Sequence, residues 1–461
     1  MRAPARSDGG RLARRVNVAI FDRLIMRLLS SLPRRAPYHR ARRAAAACSA
    51  ALVMCACAPL LADEPGGDTD ASAGAGAATP DRTRRELNLV PLVGGDSDVG
   101  VGIGEVGDWA RLQPGEGNYR WRLESGAFIT FKLRDGDNLI VPFQDYYLLL
   151  SLRNWGTEKR WTVDIRGSFT DETTLKYYGI GNASHAPSNL DDPAMEYGRI
   201  HPTLSVESRI AVGPHLFLAL GNFYTHNWLN VPRTSSVALD QANGPPDVRA
   251  LLGQFSLHGV ELAEVGIEYD TRDNEIVTRR GMYHALHVRY SPGLGSWLPY
   301  PYELVDLTVR GYATPIPRWL TLSGRLVGDA LMGSPPFYEL ARFNQTPAIG
   351  GVNAVRGVPA QRYYGKVKLF GNMEARSELF PFHLGKKQFV LGTAVFLDAG
   401  RVWTELGERH PDLDGSGLGV KYGVGGGLRL QQGQTFVVRV DAAWSPDARP
   451  IGAYFAAGQI F

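Results

Sequence analysis

Cysteine is nearly missing from this chain: three residues, Cys48, Cys55 and Cys57, in 461. All three fall in one apolar stretch near the start, so the rest of the sequence can form neither disulfides nor thiolate metal sites. Long amphipathic helices are missing too. Past residue 86 no 3.6-residue periodicity runs far enough to predict one, which argues against helical bundles and βαβ folds. No G-x-S-x-G elbow occurs, and His284 and His287, three apart on an expected strand, point to opposite faces and cannot chelate one metal. Neither an enzyme nor a metal site is expected, and no cofactor is implied.

Excess positive charge is also absent once its position is considered. The chain carries 50 Lys and Arg against 46 Asp and Glu, but twelve arginines lie in residues 1–62. That segment is arginine-rich to Arg43, then apolar from Ala44 to Ala62, with DEPGG following. It reads as a signal or leader region, and Pro59 and the small alanines suit cleavage better than a membrane anchor. The leader is long for such a signal, Met26 offers a later start, and no leucine-led lipobox precedes a cysteine. Cleavage before Asp63 would remove the twelve arginines with Asp8 and Asp22, leaving a chain near −6. Nucleic acid is therefore not an expected partner, because its electrostatic footprint goes with the leader. Residues 63–85, rich in Ala, Gly, Asp and Thr, read as a flexible linker.

What is present is glycine, 53 residues, and aromatic residues at 10%, set in short alternating runs from residue 86 to 461. In residues 119 to 134, Tyr119, Trp121, Leu123, Ala127, Ile129, Phe131 and Leu133 share one face, and Arg120, Arg122, Glu124, Thr130 and Lys132 the other. Residues 160 to 170 repeat the pattern, with Trp161, Val163, Ile165 and Phe169 opposite Arg160, Asp164, Arg166 and Thr170. One aromatic-rich face and one densely charged face, on strand after strand, describe a lipid-facing exterior around a polar lumen. The expected strands are 86–95, 99–110, 119–134, 143–155, 160–171, 196–212, 216–229, 257–270, 281–292, 302–313, 318–331, 366–379, 387–401, 418–430, 434–446 and 452–461. The long connections 172–195, 230–256, 332–365 and 402–417 all follow odd-numbered strands, and short turns follow even ones. The fold class is thus all-β: a transmembrane antiparallel β-barrel of about 16 strands, of the outer-membrane type, with its long loops extracellular. Closure pairs every backbone group, which is how such a wall survives in lipid.

Two motif-like runs carry little. "GVGIGEVG" holds Gly102-x-Gly104-x-x-Gly107, but no βαβ unit surrounds it, and glycines on a strand suit curvature or close packing. "DLDGSG", Asp412 to Gly417, resembles part of a calcium loop, yet Lys421 stands where a bidentate glutamate belongs, so a solvated turn is expected.

The last third is more specific. Val355-Arg356-Gly357 lies in a long loop, followed by Gly371-Asn372-x-Glu374-x-Arg376, then Phe396-x-Asp398-Ala399-Gly400-Arg401-Val402-Trp403, and a terminal Gly458-Gln459-Ile460-Phe461. With "YYGIGN" (177–182) and "YDTRDN" (269–274), this order resembles the bacterial surface antigen family, the barrel of the BamA/TamA outer-membrane assembly-factor superfamily. The resemblance implies a 16-stranded barrel whose loop 332–365 folds back into the lumen, where Arg356 pairs with Asp398 and, secondarily, Glu374. Physical reasoning concurs, since a guanidinium in a narrow lumen needs a planar carboxylate partner. It also implies a role in outer-membrane biogenesis or in protein insertion into, or translocation across, a bacterial outer membrane of lipid and lipopolysaccharide, with unfolded barrels as clients. Phe461 is the terminal aromatic by which insertion machinery would receive this chain as a client. Two departures stand out: Val358 replaces the aromatic expected after Arg-Gly, loosening the expected loop packing, and the periplasmic POTRA domains of such factors are not found. A passive pore or structural surface barrel without assembly activity is the alternative reading.

Overall fold

In the computed structural model of the chain, the period-two alternation closes into a single antiparallel wall. The structure describes residues 84–112, 119–134, 138–155, 161–185, 187–342, 349–384, 387–408, 410–432, 436–447 and 451–461. Residues 1–83, which hold the expected leader and nearly all of the expected linker, lie outside them.

The strands are β1 (Arg84–Asp96), β2 (Gly100–Leu112), β3 (Tyr119–Arg134), β4 (Asn138–Ile140), β5 (Phe143–Trp155), β6 (Trp161–Lys176), β7 (Glu196–Ala211), β8 (Leu216–Asn230), β9 (His258–Asp270), β10 (Gly281–Pro292), β11 (Pro301–Ile316), β12 (Leu320–Gly333), β13 (Val367–Leu384), β14 (Lys387–Trp403), β15 (Lys421–Gln432), β16 (Phe436–Trp444) and β17 (Gly452–Ala457). The three-residue β4 folds back on the end of β3. The other sixteen form the barrel, each beside its chain neighbour, and β1 meets β17 to close it. All sixteen expected strands are present in the expected order.

Two local differences have physical causes. The connection from β8 to β9 holds two helices, Ser236–Asn243 and Pro246–Leu252. Each is too short to show a helical period in sequence, although Pro246 opens the second as proline often does. The last strand stops at Ala457 rather than Phe461, because the terminal residues turn inward.

Alternation sorts the side chains as lipid and lumen demand. On β13 and β14, Leu369, Met373, Val395 and Leu397 are exposed on the outside, while Asn372, Glu374, Ala394 and Asp398 are buried on the inside. Here inside means packed against a filled lumen. One apolar cluster, including Tyr177, Tyr197, Tyr338 and Tyr364, plugs the long-loop end. A second, of Val327, Ile349, Val355, Val358, Tyr363, Phe370 and Val402, lies beside it. Val358 therefore does not loosen the loop: it is completely buried within this second cluster.

The weak motifs resolve simply. Gly102 to Gly107 lie on β2 against β3. Pro411–Asp414 form a short helical turn in which Asp412 is exposed, as are Ser416 and Gly417 after it, while buried Asp414 accepts from the Thr404 amide at 2.9 Å and its hydroxyl at 3.0 Å. His287 faces the lumen, 3.4 Å from Glu268, whereas His284 stacks on Tyr269.

Candidate functional site

The connection from β12 to β13 descends into the lumen and presents Arg356 to the inner wall. Arg356 is 0% exposed. Its Nε donates to Asp398 Oδ2 at 2.7 Å and its Nη2 to Asp398 Oδ1 at 3.0 Å, a bidentate pair. The backbone N–H of Arg356 adds a third bond to Asp398 Oδ2 at 3.1 Å. Nη1 donates to Glu374 Oε1 at 2.7 Å and to Asp441 Oδ2 at 3.0 Å. The guanidinium carbon lies 3.3 Å from the centre of the Phe396 ring, so one face of the cation is covered by π density.

These positions follow from register. Asn372 stands opposite Asp398, and Glu374 opposite Phe396, so strand alternation alone puts Glu374, Phe396 and Asp398 on one inner patch. The acids are tied in turn: Arg376 Nε donates to Glu374 Oε2 at 2.7 Å, and Arg429 and Arg439 donate to Asp441 at 2.5 and 3.0 Å. Linked charge-assisted bonds of this kind fix geometry more tightly than an isolated pair would.

Backbone contacts hold the rest of the loop. Gly357, with φ +93° in the left-handed region, donates its N–H to the Tyr454 hydroxyl of β17 at 2.8 Å. Asn372 donates to the Ala354 carbonyl and Arg325 to that of Asn353, each at 2.6 Å. Ala360 N–H donates to Asp98 Oδ2 at 2.8 Å, in the turn between β1 and β2. Burial pushes the Asp98 carboxyl above its ordinary range, against the Ala360 amide and the Lys176 and Lys132 charges. On β15 the wall comes so close that a Cβ on Gly423 would sit 1.7 Å from the Arg356 carbonyl oxygen. Glycine is required there by the approach of the loop backbone. The loop leaves the lumen through Tyr364, whose backbone carbonyl accepts from Gly181 N–H at 2.7 Å, joining it to the "YYGIGN" segment.

The structure thus brings Val355, Arg356, Gly357, Glu374 and Asp398 together. Phe461 is elsewhere. Past Ala457 the chain leaves the wall, and Ile460 and Phe461 pack against Tyr312 inside the lumen. Arg325 donates to the Ile460 carbonyl at 3.1 Å and Arg376 to a Phe461 oxygen at 3.3 Å.

A second local feature is the barrel's closing seam. β1 meets β17 at two register pairs, Gly95 with Phe455 and Asp96 with Tyr454. By comparison, β16 meets β17 at six and β1 meets β2 at thirteen.

Residues 144–461 match the model of the Omp85 superfamily domain. The chain belongs to the Omp85 superfamily. Its barrel is similar to that of BamA from Haemophilus ducreyi lacking POTRA domains 1–3, with a TM-score of 0.52 at 15% identity, over 82% of this chain and 70% of that one. It is also similar to CdiB from Escherichia coli, with a TM-score of 0.50 at 14% identity, over 82% and 68%. No curated protein matches the chain. As an Omp85 barrel, the protein resides in the bacterial outer membrane, and the exposed side chains of β13 and β14 face its lipid.

Sequence reasoning missed several members of this Omp85 site: Asp441, Tyr454, Asp98 and the stacking role of Phe396. A signal for two of them exists in retrospect. Gly423, Gly425 and Gly427 recur at period two before Arg429, and Arg439 and Asp441 follow at the same spacing. A row of absent side chains bordered by charges marks where a loop could lie against a wall.

Proposed function

We propose that this Omp85 barrel takes part in outer-membrane biogenesis by handling β-strands of other membrane proteins at the seam between β1 and β17. The observation that carries the reading is that seam of two register pairs. A strand edge left unpaired is a template for another strand, and here it belongs to residues 84–94 of β1, most of which lie beyond the end of β17 at Ala457. Loop residues 349–364, pinned to β13, β14, β16 and β17, act as a brace: the wall beside the seam stays rigid when the seam parts. The mechanism is non-covalent, and it uses lipid and lipopolysaccharide only as surroundings. In this reading residues 1–62 are an export signal, residues 63–85 a tether, and Phe461 the residue through which insertion machinery first takes up this chain.

Reconstitution tests it. Vesicles holding the full chain should accelerate insertion of a urea-denatured outer-membrane barrel over vesicles holding an unrelated barrel; equal rates would sink the proposal. In a passive pore, by contrast, removing residues 349–362 would leave conductance unchanged. The brace predicts a low conductance that rises on that deletion.

A further inference from the structure

Behind the seam lies a cavity of about 750 Å³, inside the ~300–1,000 Å³ range of small-molecule sites. Its lining comes from both faces of the wall. Leu92 and Gly94 of β1, Phe128, Phe143 and Leu175 line it from the lumen side. Pro91 and Val93 of β1, with Leu430, Val438 and Phe455, line it from the side that faces lipid. The two sets alternate along β1, and Val93 is 57% exposed. A cavity lined by both faces of one strand passes around that strand's edge. It therefore opens sideways, through the stretch where β1 runs unpaired below Gly95 and β17 has already ended at Ala457.

We infer that this opening is a lipid site, in which an acyl chain of a membrane lipid enters from the bilayer and lies across the seam into the lumen. Three observations select that occupant. The mouth is continuous with the lipid-exposed surface through Pro91, Val93 and Leu430, so an acyl chain reaches it without crossing water. The cavity offers a continuous apolar surface on which an acyl chain can lie, with the Phe128 and Phe143 rings 6.5 Å apart, beside the polar side chains of Glu172, Arg342, Asn353 and Gln361. Further polar groups lie at the long-loop end. There Asp98 and Lys176 also line an adjoining polar cavity of about 220 Å³ with Lys132 and Arg134, at the level where a lipid headgroup would stand. A chain so placed covers apolar surface that an open seam would expose to water. The site does not depend on assembly activity: it follows from the gap alone.

Photo-cross-linking tests it on the full chain. The protein is reconstituted in vesicles of phosphatidylethanolamine carrying a diazirine near the end of one acyl chain, irradiated, and mapped by peptide mass spectrometry. The expected result is labelling of lumen-side Leu92, Phe128 or Leu175 in addition to outer residues such as Met373. Labelling confined to outer residues would overturn the inference. Thr174→Trp, which adds bulk to the cavity from a half-buried position, should reduce the inner labelling at least threefold while leaving Met373 labelling unchanged; unchanged inner labelling would mean that the lipid reaches those residues by another route. Because the wild-type map decides by itself, the test survives a variant that does not fold. The barrel-insertion assay is separate, so either idea can fail alone.

Discussion

Arg356 is bound by three carboxylates and stacked on one ring, and that arrangement changes what its replacement should do. Arg356→Ala leaves Asp398 buried with its principal partner gone, a loss of about 3 to 5 kcal/mol for a shielded pair. It should appear as a lower temperature for loss of the compact form on semi-native gels. Arg356→Lys should recover only part of this, since an ammonium cannot make the bidentate contact. Exchanging the charges, Arg356→Asp with Asp398→Arg, should also recover only part, because the new aspartate would face Glu374 and Asp441. Full recovery would argue against the three-acid site, and strictly additive losses against the contact itself. Sequence made Asp398 and Glu374 legible through motif order, since both lie on the two strands following the loop. Asp441 was not legible: which later strand meets the guanidinium depends on how far the loop descends, and no local pattern encodes that depth.

Among the elements, β15 matters most for that descent. Its glycine row lets the loop backbone touch the wall, so Gly423→Ala forces either the strand or the loop to move, a strain of about 1 to 3 kcal/mol. Gly324→Ala on β12 is the matched control, because nothing lies within 4 Å of the added carbon; it should change stability by less than about 0.5 kcal/mol. The pair is read by thermal unfolding and by protease cleavage of residues 349–364, which should quicken only in the first variant. Equal behaviour would remove the close approach from the account. The strands themselves were plain in the sequence because a barrel wall imposes period two along its whole length. The two helices after β8 were not, since seven or eight residues are too few to display a period. The end of β17 escaped notice for another reason: "AAGQIF" alternates acceptably as strand, and only the packing of Phe461 on Tyr312 draws it inward.

Taken as a whole molecule, the barrel is unevenly held. Strands β13 and β14 share seventeen register pairs and bear the loop, whereas β1 has one well-paired side. Local opening follows such differences. Hydrogen exchange of the reconstituted chain should therefore show amides in residues 84–94 exchanging at least about tenfold faster than those of β13, some 1.4 kcal/mol in opening free energy. Uniform protection around the wall would contradict both the seam and the lipid site behind it.

The residues that close the barrel are also the most distant in the chain, Gly95 and Phe455 lying roughly 360 positions apart. Joining them costs the largest loop-closure entropy in the fold and returns the fewest hydrogen bonds. Arg356, by contrast, finds Glu374, Asp398 and Asp441 within 85 residues. The C-terminal third can therefore organise around its loop early, while closure comes last in folding and is the first step undone. The seam is then a point in the protein's history as much as a place in its wall.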